Sequence, residues 1–301
     1  PKHKTSQKFT AVGSLVYLTS VTAVGSVAIS HIWAVSNGDV QPFLPYISDS
    51  GGDPPQSALF GFGAITTAIA LMIIFSLRYI TVKDITKRTK DASLIRLFNY
   101  LTFVAGLGVF LGLVMVATNA TGHLRRDGTW LQPIMLPHLL GVSVFFVSGF
   151  SYLLGNSVLT WVLVPRFHNV WVAYARIVIT LVNLISCIPT VVKYPNDLMS
   201  MKPHPYHPRQ YPEGTLVSIL GEWATVGTFM LYLYTMKSEL DMTVIVLGLR
   251  RRLNTITAIS VVAEGSNSTP QCPKYPIGPL QKHSSSQPRP LDPSQDPPRG
   301  R

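Results

Sequence analysis

Six stretches of the chain are apolar over the length of a bilayer crossing, and polar residues fall between these stretches rather than alternating within them. A helix rising about 1.5 Å per residue needs roughly 20 mainly apolar residues to cross about 30 Å of hydrocarbon. The stretches that meet this length are Val12–Val35, Ser57–Ile80, Leu97–Thr118, Ile134–Asn156, Tyr174–Val192 and Gly214–Met236. The fourth has the softest end, since apolar character continues through Trp161 and Val164. Continuous runs, rather than ten-residue alternations, exclude an outer-membrane barrel and leave helices as the elements that satisfy their own backbone in lipid. The pattern therefore predicts an all-α polytopic membrane protein with six transmembrane helices, and an even number places both termini on one side.

Composition strengthens that reading. Only 13% of the 301 residues are charged, too few to cover a soluble surface of this size. The formal charge of +11 belongs to residues at the ends of the apolar runs, not to an aromatic-interleaved face, so it predicts topology and no nucleic-acid partner. Lys and Arg number fifteen in the N-terminal segment, the second and fourth connections and the start of the tail, against five in the other three loops. That bias predicts that both termini are cytosolic. The first run has span length and no clear small-residue cleavage site, and is expected to be a retained helix. The two cysteines, Cys187 in a span and Cys272 in the tail, support neither a disulfide framework nor a metal site.

The expected organisation is a short cytosolic segment (1–11), the six-helix domain (12–236), a basic juxtamembrane segment (237–263) and a disordered Pro/Ser-rich cytosolic tail (264–301). Arg250, Arg251 and Arg252 close a mixed apolar and basic stretch that could meet anionic lipids of the inner leaflet, or act only as a solvated stop signal. In the tail, Pro270, Pro273, Pro276 and Pro279 recur with the period of polyproline II ligands, a spacing that Pro-rich tails also produce without a partner.

The loops on the opposite side carry more information. The first holds Pro42-Phe43-Leu44-Pro45-Tyr46-Ile47-Ser48-Asp49, whose two prolines restrict the backbone and whose large apolar side chains can pack on helix ends. It reads as an ordered cap. The fifth contains His204-Pro205-Tyr206-His207, better read as interfacial residues than as a metal site, because Pro205 opposes a helical pair of ligands. Asn119-Ala120-Thr121 is a glycosylation acceptor on the required side but close against the third span, and Asn267-Ser268-Thr269 falls in the cytosolic tail.

Ionisable residues at membrane depth are expensive and mark functional hypotheses. Apart from Arg78 and Arg176, which sit at span ends and are counted with the cytosolic connections, three fall inside the predicted spans, His31, His138 and Glu222, all in the half of the bilayer away from the termini. One reading is a convergent proton-sensing or substrate-contacting cluster; the other is a neutral Glu222 hydrogen-bonded between helices, with the histidines in the wet interface. Gly108 and Gly112, and Ala64 and Ala68, sit at helical spacing and predict close helix packing within the molecule. Phosphate-binding loops, zinc-protease helices, nucleophile elbows, paired carboxylates within a span and inverted repeats do not occur, so neither catalysis nor coupled transport is indicated. No cofactor is expected.

The run Pro42–Asp49, followed by Pro54-Pro55 and Leu59-Phe60-Gly61-Phe62, together with Glu222-Trp223 in the sixth span, resembles the damage-regulated autophagy modulator (DRAM) family. It is similar more broadly to the FRAG/DRAM/SFK group of six-span proteins, whose module recurs at the N-terminus of a yeast GPI-lipid remodelling protein. The likeness covers roughly residues 12–253. It implies a non-enzymatic membrane regulator of autophagy in lysosomal or other endomembranes, with cytosolic partners at the 81–96 connection and the tail. Other branches imply a lipid-handling role in GPI-anchor or phosphoinositide metabolism, and a plasma-membrane location. The Glu222, His31 and His138 set leaves a proton-linked transporter or channel as a further reading.

Overall fold

A computed structural model describes residues 5–9, 12–87, 92–122, 132–164, 169–200, 214–252 and 255–263; for 5–9, 132, 193–200, 244–252 and 255–263 it describes the backbone alone. Residues 1–265 form one unit, and 266–301 form another that lies outside the described residues. The Pro-rich tail, the His204–His207 cluster and the Asn267 acceptor are thus also outside them.

Six helices have the length and composition of membrane spans: α1 (Ser14–Asn37), α3 (Gln56–Thr86), α4 (Ser93–Thr118), α5 (Gln132–Val162), α6 (Val170–Ser200) and α7 (Leu216–Asp241). A four-residue helix, α2 (Ile47–Ser50), lies in the first loop. The expected all-α membrane domain is therefore present, with every predicted span on a helix. The helices outrun the apolar runs at both ends of the bundle: α3 continues six residues past Ile80, α5 six past Asn156 and α7 five past Met236 on the side that carries the termini, and α6 eight past Val192 on the other. With 31 residues, α3 is about 46 Å long, so its end passes beyond the roughly 30 Å of hydrocarbon. A hydropathy pattern marks where apolar residues stop, and an interfacial helix continues through polar ones.

The strongest contacts join α4 to α5, α6 to α7, α3 to α4 and α1 to α3, so neighbours in sequence are mostly neighbours in space. Small residues set the closest approach. A Cβ on Gly112 of α4 would lie 2.8 Å from the carbonyl oxygen of Gly141 on α5, and one on Gly141 would lie 3.0 Å from that of Gly112. Of the small residues expected to permit packing, Gly112, Ala64 and Ala68 are buried inside this molecule, and Gly108 is half-buried against Ser148 of α5. Hydrogen bonds between helices supplement packing: Thr22 to Thr67 at 3.1 Å, Ser157 to Thr180 at 2.9 Å, and Asn183 Nδ2 donating to the Thr225 carbonyl at 2.9 Å. Large apolar residues such as Val21, Ile32 and Ile185 face outward, the arrangement suited to lipid.

Outside the spans, β1 (Thr5–Phe9), β2 (Thr243–Arg252) and β3 (Thr255–Ala263) form an antiparallel sheet in the order β1-β2-β3, with an irregularity in the β2–β3 register between Leu247 and Arg250. Sequence reading anticipated only a basic juxtamembrane segment there. Arg250, Arg251 and Arg252 instead end a strand, opposite Thr257, Ile256 and Thr255. The β-branched runs Thr243-Val244-Ile245-Val246 and Thr255-Ile256-Thr257 are the signal that was legible.

Candidate functional site

The first loop folds down into the mouth of the bundle. Burial changes sharply along it: Pro42 and Phe43 are exposed, Leu44 is half-buried, and Pro45 to Ser50 are buried. Leu44 holds φ at 38°, a left-handed conformation that costs a side-chain-bearing residue roughly 1–2 kcal/mol. The turn it makes sends Tyr46 and Ile47 inward, where they join Phe60, Val116, Met135, Phe146 and Ile219 in one apolar cluster. Pro54 and Pro55 are exposed and lead into α3.

Polar groups of four spans or span ends hold this loop. From α7, Glu222 Oε2 accepts the Ile47 backbone N–H at 2.8 Å, and the next residue, Trp223, donates its indole Nε1–H to the Pro45 carbonyl at 2.9 Å. From α1, His31 Nδ1 and Ser50 Oγ form a hydrogen bond of 3.2 Å. Beyond α4, Thr121 Oγ1 donates to the Ser48 carbonyl at 3.1 Å, and the Gly122 N–H to the Gly52 carbonyl at 3.1 Å. At the head of α3, Gln56 Nε2 donates to Asp39 Oδ2 at 2.6 Å, while its Oε1 accepts from Asn37 Nδ2 at 3.3 Å. A non-helical segment at this depth is tolerated only when its backbone groups find such partners.

The three intramembrane residues do lie at the same end of the bundle, but they divide the work. Glu222 and His31 reach different residues of the first loop and share a cavity wall. His138 is buried and donates Nδ1–H to the Asn119 carbonyl at 2.6 Å, tying α5 to the end of α4. Asn119 itself donates Nδ2–H to the Met115 carbonyl at 2.8 Å, and Thr121, the third residue of the acceptor triplet, is buried with its hydroxyl engaged. Gln56 was not singled out from sequence, and Thr121 only as the third residue of a glycosylation triplet, since single polar residues at helix ends look like solvated caps.

A second buried polar group was also missed. At the opposite end of the bundle Glu239 of α7 pairs with Arg78 of α3 and Arg176 of α6, each at 2.7 Å. Arg176 is fully buried and also donates to Thr160 Oγ1, Thr235 Oγ1 and the Thr235 carbonyl. Arg78 donates to Asn156 Oδ1 at 3.2 Å. By charge patterning Arg78 and Arg176 belong to cytosolic connections; the longer helices carry both inside, where a carboxylate shared by two guanidiniums offsets desolvation. Among the described residues no group of three or more His, Cys, Asp or Glu could hold a metal.

Residues 11–243 match the Frag1/DRAM/Sfk1/Cwh43P N-terminal domain, a stretch containing all six spans and every residue of the loop network. The chain belongs to this family. Among its relatives, DNA damage-regulated autophagy modulator protein 1 of Homo sapiens is 30% identical over 211 residues, 69% of this chain and 82% of that protein. DNA damage-regulated autophagy modulator protein 2 of Mus musculus is 27% identical over 170 residues, 56% of this chain and 59% of that one. Transmembrane protein 150A of Xenopus laevis is 29% identical over 159 residues, about half of each chain. No solved structure matches. Within the Frag1/DRAM/Sfk1 frame, the Pro42–Asp49 motif and the Glu222-Trp223 pair are two halves of one contact.

Proposed function

We propose that this integral membrane protein is a non-catalytic regulator of autophagy in lysosomal or other endomembranes, acting by docking cytosolic partner proteins. The observation that carries the reading is the similarity to an autophagy modulator over 82% of that protein's length. Supporting the non-catalytic part, Glu222, Trp223 and His138 each use a polar atom to fix a loop or a helix end. In this reading both termini and the basic connection after α3 face the cytosol. The docking surface proposed is the 81–96 connection, where Lys83, Lys87 and Arg96 are exposed at the ends of α3 and α4.

The test is removal of the protein from cells that express it, with autophagic flux measured in fed and starved conditions and a tagged full-length copy followed by microscopy. Reduced flux on starvation, restored by the tagged copy on lysosomal or other endomembranes, is the expected result. Unchanged flux in both conditions, with the tagged copy confined to the plasma membrane, would overturn the proposal.

A further inference from the structure

Beneath the loop lies a cavity of about 530 Å³, walled by α1, α3, α4, α5 and α7. Its lining is almost wholly apolar and contains no Lys or Arg. On α7 it extends from Glu222 to Met230, about 12 Å along the axis, so it sits at hydrocarbon depth. The mouth is lateral: α1 and α7 both line the cavity yet touch one another sparsely, and the lining residues Val24 and Ile32 are exposed on the outside of α1. What borders such a mouth in a membrane is lipid, and an apolar cavity gives water few partners.

The polar part of the wall is concentrated at the loop end. Glu222 commits Oε2 to Ile47 and His31 commits Nδ1 to Ser50, while Glu222 Oε1 and His31 Nε2 have no hydrogen-bond partner among the described residues. Leaving such atoms unpaired away from water is costly. A ligand that places one hydrogen-bonding group there, with an apolar body below it, removes the cost.

We propose that this cavity binds a single sterol, its hydroxyl at Glu222 and His31 and its ring system between α1 and α7. The volume is that of one small-molecule ligand with few polar contacts, whereas a phospholipid would bring two chains and a phosphate to a wall with a carboxyl group and neither Lys nor Arg. A hydroxyl can donate its one hydrogen to Glu222 Oε1 and accept from His31 Nε2–H. The assignment is independent of the regulatory role proposed above.

Photolabelling of the full-length protein in liposomes tests it, using a photoreactive sterol and, in parallel, a photoreactive phosphatidylcholine. Two variants block the site. A Cβ on Gly227 meets nothing within 4 Å, so Gly227→Phe enters open space at the mouth; Ala28 is exposed on the rim, so Ala28→Trp covers it without displacing packed atoms. The expected result is sterol labelling on the α1 and α7 segments that line the cavity, competed by unlabelled sterol and about tenfold weaker in both variants. Glu222→Gln, which keeps an acceptor for Ile47, should weaken it less. Thermal unfolding of each variant separates occlusion from misfolding, and either variant that melts like the wild type carries the comparison. Labelling that is equal in the wild type and a folded variant, maps elsewhere, or is matched by the phosphatidylcholine probe overturns the proposal.

Discussion

Glu222 and Trp223 are adjacent in sequence, yet they bond to backbone atoms two residues apart in a loop some 175 positions away. Truncating Glu222 to Ala leaves the buried Ile47 N–H without a partner and should cost about 1–3 kcal/mol, while Glu222→Gln, still an acceptor, should cost less. Trp223→Phe removes only the indole donor and should cost about 1 kcal/mol. Because both residues hold the same turn, the double variant should be less destabilised than the sum of the singles, by about 0.5 kcal/mol or more. Thermal unfolding of the wild type, Glu222→Ala, Trp223→Phe and the variant carrying both substitutions in detergent would measure this, and strict additivity would mean that the two contacts are independent. At the same scale, Asn119 should remain unglycosylated, since its amide caps α4 and Thr121 is buried against Ser48. An amide glycosidase should therefore leave the electrophoretic mobility of the cell-expressed protein unchanged.

Between elements, the closest seam is α4 on α5, where Gly112 and Gly141 bring two backbones together. Gly112→Val forces methyl groups into that seam and should destabilise by about 1–3 kcal/mol through overpacking. Gly25 in α1 is a contrasting case: nothing lies within 4 Å of the position a Cβ would take, and Gly25→Ala should be neutral or stabilising by up to about 1 kcal/mol. Opposite shifts in melting temperature for the two variants are expected. A similar loss in both would mean that glycine is needed in α1 for something other than space.

Across the whole molecule, two polar assemblies brace the ends of the bundle. The loop network joins the first connection to α1, α7 and the segment after α4; the Arg78–Glu239–Arg176 group joins α3, α6 and α7, with α5 reached through Asn156 and Thr160. Glu239→Ala would leave two buried guanidiniums sharing no carboxylate, and should cost about 3–5 kcal/mol. Limited proteolysis should then cut the terminal ends of α3 and α6 at protease levels that spare the wild type. Unchanged stability would show that the arginines find other anions, such as lipid phosphate.

The number of spans, their identity as helices and the shared side of the two ends were all legible in sequence, because a bilayer demands long apolar runs and leaves few alternatives. The Pro42–Asp49 motif and the depth of Glu222, His31 and His138 were legible for the same reason: conspicuous residues stand out against an apolar background. Tertiary structure decided which groups meet. Ile47 and Glu222 are far apart along the chain, and neither residue names its partner. The helix ends were decided there too, because polar residues beyond an apolar run can continue a helix when a neighbour satisfies them, as Arg78 and Arg176 do for Glu239. The cavity has no sequence signature at all, since it is the space left where α1 and α7, the first and last spans, do not close on one another.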